Sequence, residues 1–217
     1  MHLRSRYFLL LAAPLLLTTV GLKAQAVASG TAPGHQEVDL AVTYTVQHSN
    51  LVSNPTFWQQ GGSVELSTQT YRGFGIAANI AGTNVGDAAN SGTGLTMVTA
   101  TFGPRYTWYK PVGGARKKSL AIFGQGLIGE AHGSNSYFPT AAGSLTDYNS
   151  FALQVGGGVD IGLSRHFAVR AFQTDWLRTQ FPNSTTNIQN TFRISAGVVL
   201  RFPQHGTDNA NDRKLQK

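Results

Sequence analysis

The chain of 217 residues contains no cysteine, and only 12% of its residues are charged. Without cysteine, a disulfide scaffold and thiolate-bound metal centres are excluded. The charged fraction is about half of that in an ordinary soluble domain. Uncharged polar residues and 25 glycines take its place. This composition favours a β-sheet that has one apolar face and one uncharged polar face.

Long apolar runs are also lacking, except near the N-terminus. Residues 1–26 predict a secretory signal peptide, in which Arg4 and Arg6 precede an apolar stretch at 8–22 and a small-x-small cleavage site at 24–26. That stretch is shorter than the roughly 20 residues that a membrane-spanning helix needs. We therefore expect Sec-type export, and a mature chain that could span a membrane only as a closed β-barrel.

Patterns that would indicate nucleic-acid, metal or cofactor binding are missing. The 17 basic residues form no stripe interleaved with aromatic residues, so nucleic-acid binding is not expected. The histidines do not follow metal-ligand spacing. Residues 124–129 match GxGxxG, but no crossover helix follows them, and we interpret these glycines as strand positions. No cofactor is therefore predicted.

Eight segments after residue 36 alternate apolar and polar residues and predict eight β-strands. They lie at about 37–46, 62–71, 73–81, 94–109, 118–130, 150–161, 166–178 and 190–202. The seventh keeps its apolar residues on one face only if a β-bulge near Ala171 shifts the alternation. Pro104 would break the ladder of the fourth strand, and we place it at another bulge.

The connections between these segments alternate between long and short. The long ones are 47–61, 82–93, 131–149 and 179–189, and the short ones are 71–73, 110–117 and 162–165. This pattern is typical of outer-membrane barrels, which have long outer loops and short periplasmic turns. The sequence thus predicts an all-β fold, an eight-stranded up-and-down antiparallel transmembrane β-barrel at 37–202. A linker at 27–36 would precede it, and a polar disordered tail at 203–217 would follow.

The apolar face of such a barrel contacts lipid, where a Lys or Arg near the bilayer centre costs about 2–4 kcal/mol. Four charged strand residues should therefore point into the lumen. An eight-stranded barrel lined with mixed charges and small residues is filled rather than open. The charges expected in the lumen are Glu65, Arg105, Asp160 and Arg193. Arg170 and Asp175 could join them, and we favour ordinary structural pairing for the whole group.

The last predicted strand carries a recognisable pattern. Residues 195–202 resemble the terminal β-signal of outer-membrane barrels, with Ser195, Gly197, Leu200 and Phe202 at the characteristic positions. In that family the barrel-assembly machinery reads the signal, which usually ends the chain, whereas 15 residues follow Phe202 here.

Other segments extend this resemblance. Residues 102–106, 157–161 and 163–178 resemble the small outer-membrane β-barrel family, which is similar to the transmembrane domain of outer membrane protein A. The resemblance covers roughly residues 37–202. It implies the fold and an outer-membrane location, and it specifies function poorly.

We predict a structural or surface-binding role without catalysis, with outer-membrane lipid and lipopolysaccharide as partners. Long loops carry specificity in such proteins, and here 47–61 and 131–149 are rich in polar and aromatic residues. The aromatic side chains expected to make loop contacts are Phe57, Trp58, Tyr137 and Phe138.

Three alternatives stay open at this point. The first is a lipid-modifying outer-membrane enzyme that uses His48 and Ser49, although adjacent residues of a strand point to opposite sides. The second is a soluble periplasmic barrel that binds a ligand with its apolar face turned inward. The third is a narrow channel, which the expected filled lumen disfavours.

Overall fold

The computed structural model describes residues 37–50, 56–88, 90–112, 118–140, 143–183 and 186–203. The predicted signal peptide, the linker and the tail beyond Pro203 lie outside these ranges. Within them, no helix has the length and apolarity that crossing a membrane requires.

Ten strands make up the described fold. They are β1 Glu37–Asn50, β2 Thr56–Tyr71, β3 Phe74–Val85, β4 Leu95–Val112, β5 Lys118–Ser134, β6 Phe138–Thr140, β7 Gly143–Leu145, β8 Tyr148–Gly162, β9 Phe167–Thr179 and β10 Gln189–Pro203. Eight of them close into an antiparallel barrel in the order β1-β10-β9-β8-β5-β4-β3-β2. The short strands β6 and β7 pair with each other as a hairpin between β5 and β8. The predicted eight-stranded up-and-down barrel is confirmed.

The two ends of the barrel differ. Pairing of β1 with β10 begins at Glu37↔Pro203. The start of the first barrel strand and the end of the last one therefore lie at the same end of the barrel, which is called the terminal end. At this end Arg72 and Gly73 join β2 to β3, and both have positive φ angles. Positive φ at both central residues suits a two-residue hairpin, whose twist matches that of the strands. The opposite end is called the loop end.

The strands extend further toward the loop end than the alternation predicted. β1 continues to Asn50 and β2 begins at Thr56, so a long loop at 47–61 is wrong. The physical reason is that Gln47 and Gln59 are polar because they point into a polar lumen, where each is buried. Polar strand residues of this kind cannot be distinguished from loop residues by alternation alone.

The two aromatic residues assigned to that loop are corrected with it. Phe57 and Trp58 lie in β2, where Phe57 points inward and Trp58 points outward with 58% exposure. The segment 131–149 is also more ordered than predicted, because it contains the end of β5, the β6–β7 hairpin and the start of β8. Tyr137 lies in the connection before β6 and is exposed, whereas Phe138 begins β6 and is buried.

Side chains alternate between an apolar outer face and a polar lumen, as the period of a β-strand requires. Large apolar side chains on the outer face include Val42, Val64, Ile80, Val98, Phe102, Ile128, Val155 and Val198. Buried polar side chains of the lumen include Thr45, Gln47, Asn79, Thr99, Gln154 and Ser195. The alternative of a soluble barrel with its apolar face inward is therefore wrong.

The predicted β-bulge in the seventh barrel strand is confirmed. In the ladder between β8 and β9, Val159 pairs with Phe172 while Asp160 pairs with Arg170, so Ala171 is the extra residue. Ala171 and Phe172 both face outward. The bulge thereby keeps Arg170 in the lumen and Phe172 on the apolar face.

Pro104 does not lie at a bulge, and that prediction is wrong. The β4–β5 pairs Phe102↔Ile128 and Arg105↔Gln125 share one register, so no residue is inserted between them. The ladder toward β5 pauses at residues 103–104 instead, because proline has no N–H to donate. Pro104 pairs with Ile76 of β3 and faces outward.

Candidate functional site

Four charged side chains meet inside the lumen, in the half of the barrel nearer the terminal end. Glu65 from β2, Arg105 from β4, Asp160 from β8 and Arg170 from β9 are each at most 3% exposed. β2 and β9 are not neighbours in the barrel, so contacts between them cross its interior. We call these four residues the lumen charge cluster.

Glu65 is the centre of the cluster. Its Oε1 accepts hydrogen bonds from Nη1 of Arg105 at 2.6 Å and from Nη1 of Arg170 at 2.7 Å. Its Oε2 accepts one from Nε2 of Gln125 at 2.8 Å. Both carboxylate oxygens are thus partnered, which a buried charge needs in order to be tolerated.

Arg170 and Asp160 form the most regular pair. Nε and Nη2 of Arg170 donate to the two carboxylate oxygens of Asp160 at 2.8 and 3.1 Å. Two parallel bonds of this kind give stronger and more directional pairing than a single contact. Nη2 of Arg105 lies 3.7 Å from Asp160, which closes the ring of charges.

An aromatic ring supports both guanidinium groups. The guanidinium carbon of Arg105 lies 3.6 Å from the ring centre of Phe123, and that of Arg170 lies 4.5 Å away. The ring occupies space that Gly158 leaves free, because a Cβ there would stand 2.8 Å from the Phe123 ring. Cation–π contact adds to the ion pairs in holding the arginines in place.

The cluster contains two carboxylates and two guanidinium groups, so its formal charges cancel. Its members come from four strands and are tied together across the lumen. Such a network blocks the passage and leaves no charged group of the four without a partner. The arrangement is that of a plug.

Arg193 also points into the lumen but lies outside this cluster. Its Nε donates to Gln47 at 3.3 Å and its Nη2 to Thr99 at 3.4 Å. Asp175 is its direct cross-strand neighbour on β9. Arg193 and Asp175 therefore form a second polar layer of the lumen.

Sequence reasoning placed three members of the cluster in the lumen and missed parts of their surroundings. Arg170 was expected only as a possible partner of these residues. Its position two residues after Ala168, before the bulge, places both on the same face of β9, which is the lumen face. Gln125 and Phe123 were not singled out, because the glycines at alternate positions of β5 obscured its faces.

The residues of the predicted β-signal lie along β10. Ser195 points into the lumen and shares a 2.9 Å hydrogen bond with Thr45. Leu200 and Phe202 face outward. At Gly197, a Cβ would lie 2.1 Å from the carbonyl oxygen of Val42 on β1, so the closing ladder itself requires glycine. Recognition by an assembly machinery remains a prediction.

At the loop end, apolar side chains cover the polar lumen. The buried members of this apolar lid are Met97, Ala131, Phe138, Ala152, Leu177 and Phe181. Phe138 of the β6–β7 hairpin stacks on Phe181, with ring centres 5.2 Å apart. The lid fits because Gly133 beneath it has no side chain, since a Cβ there would lie 2.7 Å from Phe138.

A cavity of about 280 Å³ adjoins this lid. Its apolar wall is formed by Phe57, Leu95, Met97, Phe138, Phe181 and Pro182. Its polar wall includes Ser49, Gln59 and Thr191, which are hydrogen-bonded to one another through the hydroxyl of Ser49. The cavity is therefore an apolar pocket with a polar, uncharged floor.

His48 and Ser49 do not form a catalytic pair. Ser49 is buried in the lumen, where its hydroxyl contacts Thr191 at 3.0 Å. His48 packs outside the barrel against Trp58, with ring centres 4.7 Å apart. The wall of the barrel separates the two side chains.

A closed eight-stranded barrel with an apolar outer face and a polar, plugged interior has the features of a transmembrane β-barrel. Solved structures of small outer-membrane proteins share this fold. Ail, the attachment invasion locus protein of Yersinia pestis, crystallised with the heparin analogue sucrose octasulfate, matches with 15% identity and a TM-score of 0.51, covering 78% of this chain and 100% of Ail. Neisserial surface protein A matches with 10% identity and a TM-score of 0.52, covering 76% of this chain and 97% of that one.

No protein-family model and no curated protein sequence matches the chain. At these identities the two structural likenesses concern the fold. The resemblance to small outer-membrane barrels is thus confirmed at the level of architecture.

Proposed function

We propose that the protein is exported by a Sec-type route to the outer membrane, where it is a non-catalytic barrel with a structural or surface-binding role. The carrying observation is the lumen charge cluster, whose ion pairs join opposite walls and obstruct passage through the barrel. Partners would then contact the surface of the barrel, and the loop end carries its longer connections. Separation of His48 from Ser49 supports the non-catalytic assignment, because the hydrolytic pair considered above is not assembled.

Two outward girdles of aromatic side chains support insertion into a bilayer. Tyr44, Trp58, Phe151, Trp176 and Phe192 lie toward the loop end, and Phe74, Tyr106, Trp108 and Phe202 lie toward the terminal end. Aromatic residues concentrate at both interfaces of such barrels. We infer that lipid, and lipopolysaccharide on the outer side, surround the apolar band between them, and that the barrel-assembly machinery inserts the chain through the β10 signal.

The charges at the loop end bear on what this face could bind. Among the described residues it carries the carboxylates of Asp87, Glu130 and Asp147, and Arg178 is its single Lys or Arg side chain. A polyanion such as the heparin analogue bound by Ail would meet more negative than positive charge here. We therefore do not extend that ligand class to this chain.

The test combines a fractionation with an electrical measurement. Outer-membrane protein is run on a detergent gel with and without boiling, and the purified barrel is then reconstituted in a planar bilayer. We expect a band in the outer-membrane fraction whose mobility changes on boiling, and a bilayer without stable conductance steps. Soluble protein without a mobility change would contradict the location, and stable ion conductance would replace the plug with a narrow channel.

A further inference from the structure

We infer that the pocket at the loop end is a binding site for a small uncharged molecule, aromatic or alkyl, that enters from the outside. The inference deepens the proposed surface-binding role and rests on it. It is carried by the shape and lining of the pocket, and it names a ligand class rather than a macromolecular partner.

The volume of the pocket sets the size of the ligand. A closed apolar cavity of about 150 Å³ accommodates benzene. The 280 Å³ found here is large enough for a two-ring aromatic molecule or a medium-length alkyl chain. This volume is at the lower end of the range of about 300–1,000 Å³ in which drug-sized ligands bind, which favours a small ligand.

The lining sets the chemistry of the ligand. Among the described residues that surround the pocket, none is Asp, Glu, Lys, Arg or His. The polar groups of the floor are already partnered, since Gln59 donates to Ser49 at 3.2 Å and accepts from Thr83 at 3.2 Å. A charged ligand would be desolvated without compensation, whereas an uncharged one could still reach a hydroxyl of the floor.

The rim makes the pocket accessible. Tyr137, which is 65% exposed, and the partly exposed Pro139 and Pro182 form the border of the cavity toward the outside. Deeper in, Phe57, Phe138 and Phe181 are at most 7% exposed. A ligand would therefore contact a buried aromatic wall behind a half-exposed entrance, as is usual for small-molecule sites.

Met97 supplies a reporter inside the pocket. The chain has two methionines, Met1 and Met97, and Met1 lies outside the described barrel. Met97 is 4% exposed and lines the cavity. In protein labelled with ¹³C at the methionine methyl, the resonance of Met97, assigned with Met97→Leu, therefore reports on this pocket alone.

The experiment titrates the labelled full chain, refolded in lipid nanodiscs, with 2-naphthol, an uncharged two-ring probe. We expect a saturable change in the Met97 chemical shift, and binding weaker by about tenfold or more for naphthalene-2-sulfonate, because its charge would be buried unpaired. No change at Met97, or a change that grows linearly with lipid-partitioned probe, would overturn the inference.

Cavity-filling variants give the matched control. Leu95→Trp and Phe57→Trp each place a larger side chain in the lining, and both should abolish the saturable change in the Met97 chemical shift. Val98→Trp introduces the same ring on the outward face of β4 and should leave it intact. Each variant is first checked for a heat-modifiable band. If Leu95→Trp and Phe57→Trp fold and bind as the native protein does, the pocket is not the site.

The two proposals fail in different ways. A protein that is heat-modifiable and electrically silent but leaves Met97 unperturbed retains the proposed function and loses this site. A protein that conducts ions or stays soluble loses the proposed function itself.

Discussion

At the scale of single residues, Arg170 shows how a buried charge depends on its surroundings. It donates to Asp160 through two nitrogens and to Glu65 and Gln173 through a third, and its side chain is 1% exposed. Removing it would leave two carboxylates sharing Arg105 as their remaining guanidinium partner within the cluster. Removing one partner of a buried ion network destabilises the fold far more than the intact network stabilises it, because a buried charge is left without compensation.

We expect Arg170→Met to lower the free energy of unfolding by about 3–5 kcal/mol, because Asp160 would keep only a long contact to Arg105. The measurement is urea unfolding of the refolded barrel in lipid vesicles. Arg178→Met is the matched control on the outer side of the same strand, and it should change stability by less than about 0.5 kcal/mol. Equal effects of the two variants would contradict a stabilising role of the network.

A second prediction at this scale concerns two glycines. A Cβ at Gly197 would meet the carbonyl oxygen of Val42 at 2.1 Å, whereas a Cβ at Gly82 would have nothing within 4 Å. Gly197→Ala should therefore push β10 away from β1 and reduce the yield of heat-modifiable barrel, while Gly82→Ala should not. Refolding yield of the two variants on an unboiled gel measures the difference, and the result would count against the argument if both refold alike.

Alternation in the sequence was enough to place Glu65, Arg105 and Asp160 in the lumen. It could not show that these three meet while Arg193 does not, because contacts across a barrel depend on the stagger between distant strands. Nor could alternation show that the ring of Phe123 contacts two guanidinium groups. The ring fits there because Gly158, on a neighbouring strand, has no side chain.

At the scale of elements, the bulge of β9 makes a prediction about deletions. Ala171 is the extra residue of its ladder, so removing it would leave Arg170 inward and Phe172 outward in a regular strand. Removing Thr174 instead would turn residues 175–179 to the opposite face. We expect the chain without Ala171 to refold into a heat-modifiable barrel and the chain without Thr174 to fail.

Circular dichroism and the unboiled gel provide the readout for both deletions. Failure of both would mean that the bulge is required for packing and not only for the phase of the strand. The bulge could be predicted from sequence because the apolar residues change from odd positions (Phe167, Val169) to even positions (Phe172, Trp176). They can share the outer face only if one extra residue lies between the two pairs.

The ends of the strands could not be predicted in the same way. Near the loop end, polar residues such as Gln47 and Gln59 alternate with outward residues that are also polar or aromatic, including His48 and Gln60. Polarity on both faces is typical of loops, and the sequence carries little sign that one face is a lumen. Cross-strand pairs such as Gln47↔Gln59 reveal the strand.

At the scale of the whole molecule, the depth of the bilayer should be visible in the cost of outward charges. Ile80 and Asn84 both face outward on β3, with Ile80 in the middle of the apolar band and Asn84 near the loop end. We expect Ile80→Arg to lower the free energy of unfolding by about 2–4 kcal/mol and Asn84→Arg by about 0–1 kcal/mol. Unfolding in vesicles compares the two, and a cost independent of position would contradict membrane insertion.

The topology of the whole barrel followed from the sequence more readily than its interior. Eight alternating segments joined by turns permit few arrangements when every backbone group needs a partner and no edge can remain open in lipid. The lid and the pocket had no comparable signal. Phe181 and Phe138 are far apart in sequence, and they meet because the β6–β7 hairpin folds back toward the barrel mouth.

The pairing of β1 with β10 has a consequence for the order in which the molecule can form. These strands come from opposite ends of the barrel sequence, and the cluster joins β2 and β4 with β8 and β9. Local hairpins can form early, but every cross-lumen ion pair waits for contacts of high sequence separation. Until then two open edges and several solvated charges oppose entry into lipid. Closure, neutralisation of the interior and insertion are therefore expected to occur as one cooperative event.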